Sequence, residues 1–168
     1  MLTLLHWFVL IVVLLRAAEL IYANRNAKRL LAQGGIEYGR THYPLFILLH
    51  VSWLSAILLL TPVNFPTTLW LLGIFLLLQA CRLWVILSLG PYWTTRVISS
   101  PNFPLVAHGP YRWVKHPNYI IVCTEIAVLP LAFGAWQVAL FFSLLNAALI
   151  TWRIKIETHA LAKRLGRE

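Results

Sequence analysis

The feature that most constrains this chain is a long uncharged stretch, which runs from Thr41 through Cys81 without a Lys, Arg, Asp or Glu. A membrane-spanning helix needs about 20 mainly apolar residues, so the stretch is long enough for two. Its segment 61–68 contains two prolines and an asparagine, which are typical of a turn. The stretch therefore predicts two spanning helices that are joined by a short turn.

The composition of the whole chain also indicates a membrane protein. Hydrophobic residues make up 60% of the 168 residues, charged residues make up only 11%, and the mean hydropathy is +0.76. A soluble domain of this size could not hide so much apolar surface. Cys81 and Cys123 both lie in apolar segments, which favours buried thiols over a disulfide framework. No Cys and His array has the spacing of a zinc site, and we expect no metal.

Three further helices complete the predicted bundle. The chain begins with an apolar segment that lacks the basic region and the cleavage site of a signal peptide, so we expect a retained first helix. Pro130 and the sequence FGAW at 133–136 predict a tight hairpin of two short helices near the end of the chain. The fold class is therefore all-α, a single polytopic membrane domain. The predicted helices are 2–22, 43–60, 69–89, 118–133 and 136–152, with a polar loop at 90–117 and an interfacial C-terminal helix at 153–168.

The basic residues are distributed unevenly between the two ends of these helices. The chain has 14 Lys and Arg against five acidic residues. The segments 24–42, 90–118 and 153–168 hold most of the basic residues, whereas the turns at 61–68 and 133–136 hold none. The positive-inside rule predicts that the basic segments and the C-terminus are cytoplasmic and that the N-terminus lies outside. Because the charges form short clusters between apolar runs, we expect the lipid bilayer as the partner, no nucleic acid and no obligate protein partner.

Four ionisable residues lie inside the predicted helices, where charges are costly and often functional. Arg16 and Glu19 are three residues apart and can neutralise each other, either as an interfacial pair or at a polar site. Glu125 needs a positive partner, and Arg82 or Arg16 could supply it. The four residues are candidates for a substrate pocket, although purely structural ion pairs fit the sequence as well.

A polar segment immediately before the hairpin is the richest in potential ligand-binding groups. It reads FPLVAHGPYRWVKHPNY from residue 103 to residue 119. Pro117 forces an extended conformation on His116 and suits the first turn of a helix. The N-terminus of that helix offers free N–H donors to an anionic group. The composition by itself fits an ordinary proline-rich membrane loop equally well.

A second polar pair follows the hairpin. Arg153 and Glu157 are four residues apart, which on its own is most often a surface pair. Because a hairpin returns the chain to the side that it left, we expect this pair to lie close to residues 116–119. The juxtaposition predicts a functional site there.

The sequence GPYRWVKHPNY at 109–119, followed by the hairpin and by Arg153-x-x-x-Glu157, resembles the isoprenylcysteine carboxyl methyltransferase family. The broader group includes phospholipid methyltransferases. The sequences RAAEL at 16–20 and GPYWTTR at 90–96 resemble its short bacterial branch, in particular the O-methyltransferases that modify alkylpyrones. The resemblance runs nearly the full length. It implies an integral membrane enzyme that methylates a small lipophilic acceptor, with S-adenosylmethionine as cofactor and S-adenosylhomocysteine as product.

The resemblance also implies roles for individual residues. Arg153 would be the catalytic residue that faces the acceptor, and Glu157 would bind polar groups of the cofactor. Two positions depart from the family pattern, since Lys115 stands where an arginine is usual and Thr158 where a second glutamate is usual. The other cofactor-binding residues would be Phe103, Pro104, Leu105, Val106, Tyr111, His116, Pro117, Asn118 and Tyr119.

The identity of the acceptor is left open by the sequence. A carboxylate, such as that of a prenylated cysteine, is already ionised and needs no base. A phenol or an alkylpyrone hydroxyl must lose a proton, and Arg153 could stabilise the resulting oxyanion. A phospholipid amine is a further alternative. A different class of protein is also open: a small transporter or a non-catalytic membrane partner could use the four intramembrane ionisable residues as a polar pathway. A related membrane reductase that uses a nicotinamide cofactor is a weaker alternative, because no other feature of the sequence supports it.

Overall fold

The computed structural model describes residues 3–62 and 65–164, and within them the chain forms a bundle of five helices. Four of the helices are long and apolar enough to cross a membrane, and the fourth along the chain is a shorter apolar helix. The predicted all-α polytopic membrane fold is therefore confirmed. The helices are α1 (Leu4–Ala32), α2 (Tyr43–Leu60), α3 (Leu69–Leu89), α4 (Pro117–Ala132) and α5 (Trp136–Arg164).

The first and last helices are longer than the sequence predicts. Each has 29 residues, which corresponds to about 44 Å at 1.5 Å per residue and exceeds a hydrocarbon core of about 30 Å. Helix α1 continues past Tyr22 because the following ten residues contain no Gly or Pro to stop it. Helix α5 continues unbroken past Arg153, so the polar tail is the end of a spanning helix and not a separate interfacial helix. The predicted start at residue 2 and the predicted end at 165–168 lie outside the described residues.

The extension of α1 holds the loop that follows α3. The Asn26 side chain donates hydrogen bonds to the carbonyl oxygens of Gly90, at 3.2 Å, and Trp93, at 2.9 Å. A small antiparallel sheet joins the same two loops, with strand β1 at Ile36–Tyr38 and strand β2 at Val97–Ser99. Strands of three residues are too short to show an alternating pattern, and the sequence did not predict them. The polar end of the bundle is thus cross-linked by contacts distant in sequence.

The two uncharged turns lie together at the opposite end of the bundle. The Thr68 amide donates to the Ala132 carbonyl at 2.8 Å, which ties the turn before α3 to the turn after α4. Gly134 has a φ of +78°, and the Ala135 amide donates to the Pro130 carbonyl at 2.9 Å, which closes the end of α4. This arrangement confirms the predicted hairpin, of which only the first helix is short.

Helix α4 is short because protein surrounds it. Its buried residues include Ile126 and Leu129, which belong to the apolar core that also holds Ile57 of α2 and Phe75 of α3. The outer helices instead expose many leucines, as a surface in contact with lipid requires. Both cysteines are free, but Cys123 is exposed on this apolar surface and not buried as predicted.

Candidate active site

The hairpin brings the two polar pairs of the sequence into direct contact. The Arg153 side chain on α5 donates from Nε to the Tyr119 hydroxyl on α4, at 2.7 Å, and to Glu157 Oε1, at 3.2 Å. The Tyr119 hydroxyl itself donates to the same Glu157 oxygen. The predicted proximity of Arg153 and Glu157 to the start of α4 is therefore confirmed.

His116, the residue immediately before α4, completes this cluster. Its Nδ1 lies 3.3 Å from Glu157 Oε2, and its ring stacks on that of Tyr119 with 5.2 Å between the centroids. Pro117 at the first position of α4 holds His116 in a non-helical conformation, so the imidazole turns back towards α5. We call His116, Tyr119, Arg153 and Glu157 the outer cluster.

The outer cluster faces a cavity of about 280 Å³ at the polar end of the bundle. We call this the outer cavity. It is open on one side and is bounded by the loop before α4, by the loop after α3 and by the polar end of α5. The predicted cofactor-binding and catalytic residues that line it are Tyr111, His116, Asn118, Tyr119, Arg153 and Glu157.

Burial affects the acid–base properties of one wall of this cavity. Tyr111 lies in the 3-10 turn Gly109–Arg112, and its ring packs near the ends of α1 and α3. Burial raises the pKa of the Tyr111 hydroxyl above its usual value, and the negative charge of Glu157 raises it further. The hydroxyl is therefore neutral at physiological pH.

Five predicted cofactor-binding residues do not line the outer cavity, and their role in cofactor binding stays a prediction. The Phe103 ring packs on Tyr92, with 6.0 Å between the centroids, and its carbonyl accepts a hydrogen bond from Arg164. The segment thus lies over the end of α5, beside the cavity. Pro117 is buried because it starts α4 inside the bundle. The five residues are Phe103, Pro104, Leu105, Val106 and Pro117, of which Leu105 is 61% exposed.

The sequence analysis missed the opposite wall of the cavity, which the small sheet supplies. Strand β2 lines the cavity, and the loop before it adds Tyr92, Trp93 and Thr94. Arg96 also lines it and pairs with Glu37 of β1 at 3.4 Å. The sequence GPYWTTR at 90–96 was the available signal, although nothing local showed that it would fold over α4 and α5. The side chain of Lys115 completes the lining and has no carboxylate partner within the described part of the chain.

A second cavity, of about 330 Å³, lies deeper among the helices. We call it the inner cavity. Its walls are mainly apolar and come from α1 and α2, from the start of α4, from the middle of α5, and from Arg82 of α3 with the loop that follows α3. Arg16, Glu19 and Arg82 line it, as the sequence predicted for a substrate pocket. Glu125 does not, because its carboxylate is 4% exposed and covered by the guanidinium of Arg82.

The four intramembrane ionisable residues form one ionic network with Gln79, which we call the inner cluster. Arg16 contacts Glu19 at 2.7 Å and Glu125 at 3.5 Å, while Arg82 binds Glu125 through both Nε and Nη2. Glu125 thus contacts both of its predicted partners. The Gln79 amide bridges Arg16 and Glu125, since it accepts a hydrogen bond from Arg16 at 2.7 Å and donates one to Glu125 at 2.6 Å. The sequence analysis did not single out Gln79, because this residue is uncharged.

Five residues line both cavities, and we call the region that they form the junction. Arg153 lies there, 8% exposed, with its guanidinium 5.3 Å from the centre of the Phe46 ring of α2. Asn118 lies there as well and accepts a hydrogen bond from Arg82 at 3.3 Å, which links the inner cluster to the start of α4. The residues that line both cavities are Trp93, Thr94, Asn118, Tyr119 and Arg153.

Comparison with known proteins gives one family and two relatives. Residues 71–163, more than half of the chain, match the model of the isoprenylcysteine carboxyl methyltransferase (ICMT) family. The chain is 41% identical over 155 residues to the uncharacterized protein YpbQ of Bacillus subtilis, an alignment that covers 90% of this chain and 92% of YpbQ. It is 27% identical over 153 residues to an uncharacterized protein of Haemophilus influenzae, with 88% and 89% covered. No solved structure matches the chain.

Proposed function

The chain belongs to the isoprenylcysteine carboxyl methyltransferase family, and we propose that it is an integral membrane O-methyltransferase that uses S-adenosylmethionine. One observation carries the proposal: the outer cavity, at the polar end of the bundle, and the mainly apolar inner cavity share the wall that holds Arg153. A water-soluble cofactor and a lipophilic acceptor need such an arrangement to meet. The cofactor could then bind from water and the acceptor from the lipid bilayer.

The outer cavity fits the chemical groups of S-adenosylmethionine. Its volume is close to the lower end of the usual range for ligand pockets, roughly 300–1,000 Å³. Tyr111 and Tyr119 offer aromatic faces, Glu157 offers a carboxylate for the ammonium or hydroxyl groups, and Lys115 offers a cation for the amino-acid carboxylate. When bound, the cofactor supplies an electrophilic methyl group.

The protein residues would contribute mainly by positioning and electrostatics. Arg153 is held by Tyr119 and Glu157, so its guanidinium is already oriented before an acceptor arrives. A donor fixed in a nearly buried site stabilises an oxyanion far better than a mobile group in water. Alignment of the two reactants can lower the barrier by roughly 7–11 kcal/mol. Arg153 would therefore bind the acceptor oxygen at the junction.

The inner cavity supports entry of the acceptor from the bilayer. Val13 of α1 and Ile47 and Val51 of α2 line the cavity and also expose much of their surface on the outside of the bundle. A lipophilic molecule could thus move sideways between α1 and α2. Acceptors of this kind include an alkylpyrone or phenol with a hydroxyl group and a prenylated cysteine carboxylate.

The proposed orientation places the outer cavity in the cytoplasm, where the cofactor is made. The basic segments lie around that cavity, at the end of the bundle where α1 and α5 extend past the other helices. Lys163→Cys, in a background without the two native cysteines, should react with a membrane-impermeant thiol reagent only in inverted vesicles. Reaction in right-side-out vesicles alone would reverse the orientation.

Cofactor binding tests the proposal and separates it from a transporter or other non-enzymatic role. Calorimetric titration of the detergent-solubilised protein with S-adenosylhomocysteine should show one site. Glu157→Gln should weaken binding by about 10-fold or more, since a charged hydrogen-bonding group is lost. Glu19→Gln is the matched control and should bind normally, because Glu19 lines only the inner cavity. Absence of binding by the native protein, or equal binding by both variants, would overturn the proposal.

A radiolabelled methyl-transfer assay across alkylpyrones, alkylresorcinols, prenylcysteines and phospholipids would then separate O-methylation from the alternative, N-methylation of a phospholipid.

A further inference from the structure

His50 of α2 lines the inner cavity and has no part in the function as proposed so far. Its Nδ1 lies 2.8 Å from the carbonyl oxygen of Phe46, one turn earlier in the helix. A carbonyl oxygen only accepts hydrogen bonds, so Nδ1 carries the hydrogen of the neutral ring. The other nitrogen, Nε2, is then an unprotonated base, and it makes no hydrogen bond within the described part of the chain. The backbone of α2 thus selects the tautomer that can accept a proton from a ligand.

The position of His50 suits a group that acts at the junction. Phe46 is the residue whose ring lies under the guanidinium of Arg153. His50 follows it by one helical turn, about 5.4 Å deeper along α2. His50 and Arg153 both line the inner cavity, so a hydroxyl group bound between them would face both side chains.

The charges around the inner cavity favour an acceptor that arrives uncharged. Each guanidinium that lines the cavity already has a carboxylate partner from the protein. A carboxylate or phosphate of the acceptor would have to compete with these glutamates for the guanidinium groups, and burying its full charge there would be costly. An uncharged hydroxyl avoids this cost but must lose its proton during the reaction. The pairs are Arg16 with Glu19, Arg82 with Glu125, and Arg153 with Glu157.

We propose that His50 is the general base that removes the proton of the acceptor hydroxyl, an inference that rests on the methyltransferase function proposed above. The acceptor O–H bond breaks and its proton moves to Nε2 of His50, which becomes an imidazolium. The acceptor oxygen forms a bond to the methyl carbon of the sulfonium donor, and the carbon–sulfur bond breaks with its electron pair left on sulfur. Arg153 stabilises the developing oxyanion. The products are a methyl ether, S-adenosylhomocysteine and a proton that the imidazolium returns to solvent.

Proton transfer can be observed without turnover by using a nitrophenol with a long alkyl chain as the probe. In the native protein loaded with S-adenosylhomocysteine, the bound probe should show phenolate absorption at a pH below the pKa of the free probe. His50→Asn retains a side-chain amide near the Phe46 carbonyl but has no base at the position of Nε2, so the probe should bind in its protonated form. His159→Asn is the matched control, because His159 is exposed on α5 and lines neither cavity. It should preserve the phenolate absorption.

The pH dependence of turnover gives a second measurement. With an alkylresorcinol as the acceptor, His50→Asn should lower kcat at neutral pH by about 10²–10⁴-fold, the usual contribution of a general base. Its KM should change little. The loss should shrink as the pH rises, because the acceptor then ionises without help. His50→Gln should show the same loss, since an amide accepts hydrogen bonds but does not take up a proton at these pH values.

Two results would overturn the role of His50. One is phenolate absorption that persists in both His50 variants, and the other is an equal loss of turnover at every pH. His50→Gln provides the decisive measurement where His50→Asn does not fold. Failure of the native protein to bind S-adenosylhomocysteine would instead contradict the proposed function itself. The two failures are thus distinguished by one titration.

Discussion

The outer and inner clusters both pair arginine with glutamate, but they differ in how exposed the glutamate is. In the inner cluster, Glu125 is 4% exposed and is bound by Arg82, Arg16 and Gln79. In the outer cluster, Glu157 is only partly buried and lines an open cavity together with His116 and Tyr119. Buried charges that are fully paired hold helices in place, whereas charges at the wall of a cavity can also contact a ligand.

The two clusters also differ in the helices that they connect. The inner cluster joins α1, α3 and α4 at membrane depth, where no water is available to solvate an unpaired charge. The outer cluster joins the two helices of the hairpin at the polar end of the bundle. Substitutions in the inner cluster should therefore act mainly on stability, and substitutions in the outer cluster mainly on binding and turnover.

Glu125→Ala should cause the largest effect of the following variants. It leaves the guanidinium of Arg82 buried without its main carboxylate partner, which typically costs about 3–5 kcal/mol in the free energy of unfolding. The expected result is a large loss of folded protein and a clearly lower thermal unfolding temperature in detergent. Lys155→Ala is a suitable control, because Lys155 is exposed and lines neither cavity. Native-like stability of Glu125→Ala would show that the inner cluster is not structural.

Arg153→Ala should separate function from stability at the junction. Loss of one oxyanion donor usually lowers kcat by about 10²–10³-fold. Arg153 contacts Tyr119 and Glu157 near an open cavity, so we expect a smaller change in the unfolding temperature than for Glu125→Ala. Radiolabelled methyl transfer measures the first effect, and thermal unfolding measures the second. Full turnover by this variant would remove Arg153 from the acceptor site.

Tyr119→Phe should give the smallest of these effects and test how the outer cluster is held together. The substitution removes only the hydroxyl that joins Arg153 to Glu157. A loss of about 10-fold in turnover corresponds to the usual contribution of one hydrogen bond, about 1–1.5 kcal/mol. Calorimetric titration with S-adenosylhomocysteine should show a reduced affinity in parallel. If both quantities stayed at native values, the hydroxyl would not position Arg153.

The outer cluster could be predicted to a large extent from the sequence. The spacing of Arg153 and Glu157, together with an apolar hairpin, was sufficient to place them near Tyr119. The position of the segment 103–106 could not be predicted, because a family pattern does not show which way an irregular loop turns. Here the loop lies against the end of α5, where Arg164 binds the carbonyl of Phe103. The sheet formed by β1 and β2 was missed for a related reason, since its strands are distant in sequence and only three residues long.

The sequence by itself determined that this is a polytopic membrane protein, which helices it has and which polar residues lie within them. These properties depend on local hydrophobicity and on turn-forming residues, so they can be read along the chain. Only the tertiary structure decided that Arg153 lines both the outer and the inner cavity. It also decided that Gln79 joins the ionic network and that His50 faces the cavity. Such contacts join helices far apart in sequence, and they depend on how the helices pack, which no local pattern specifies.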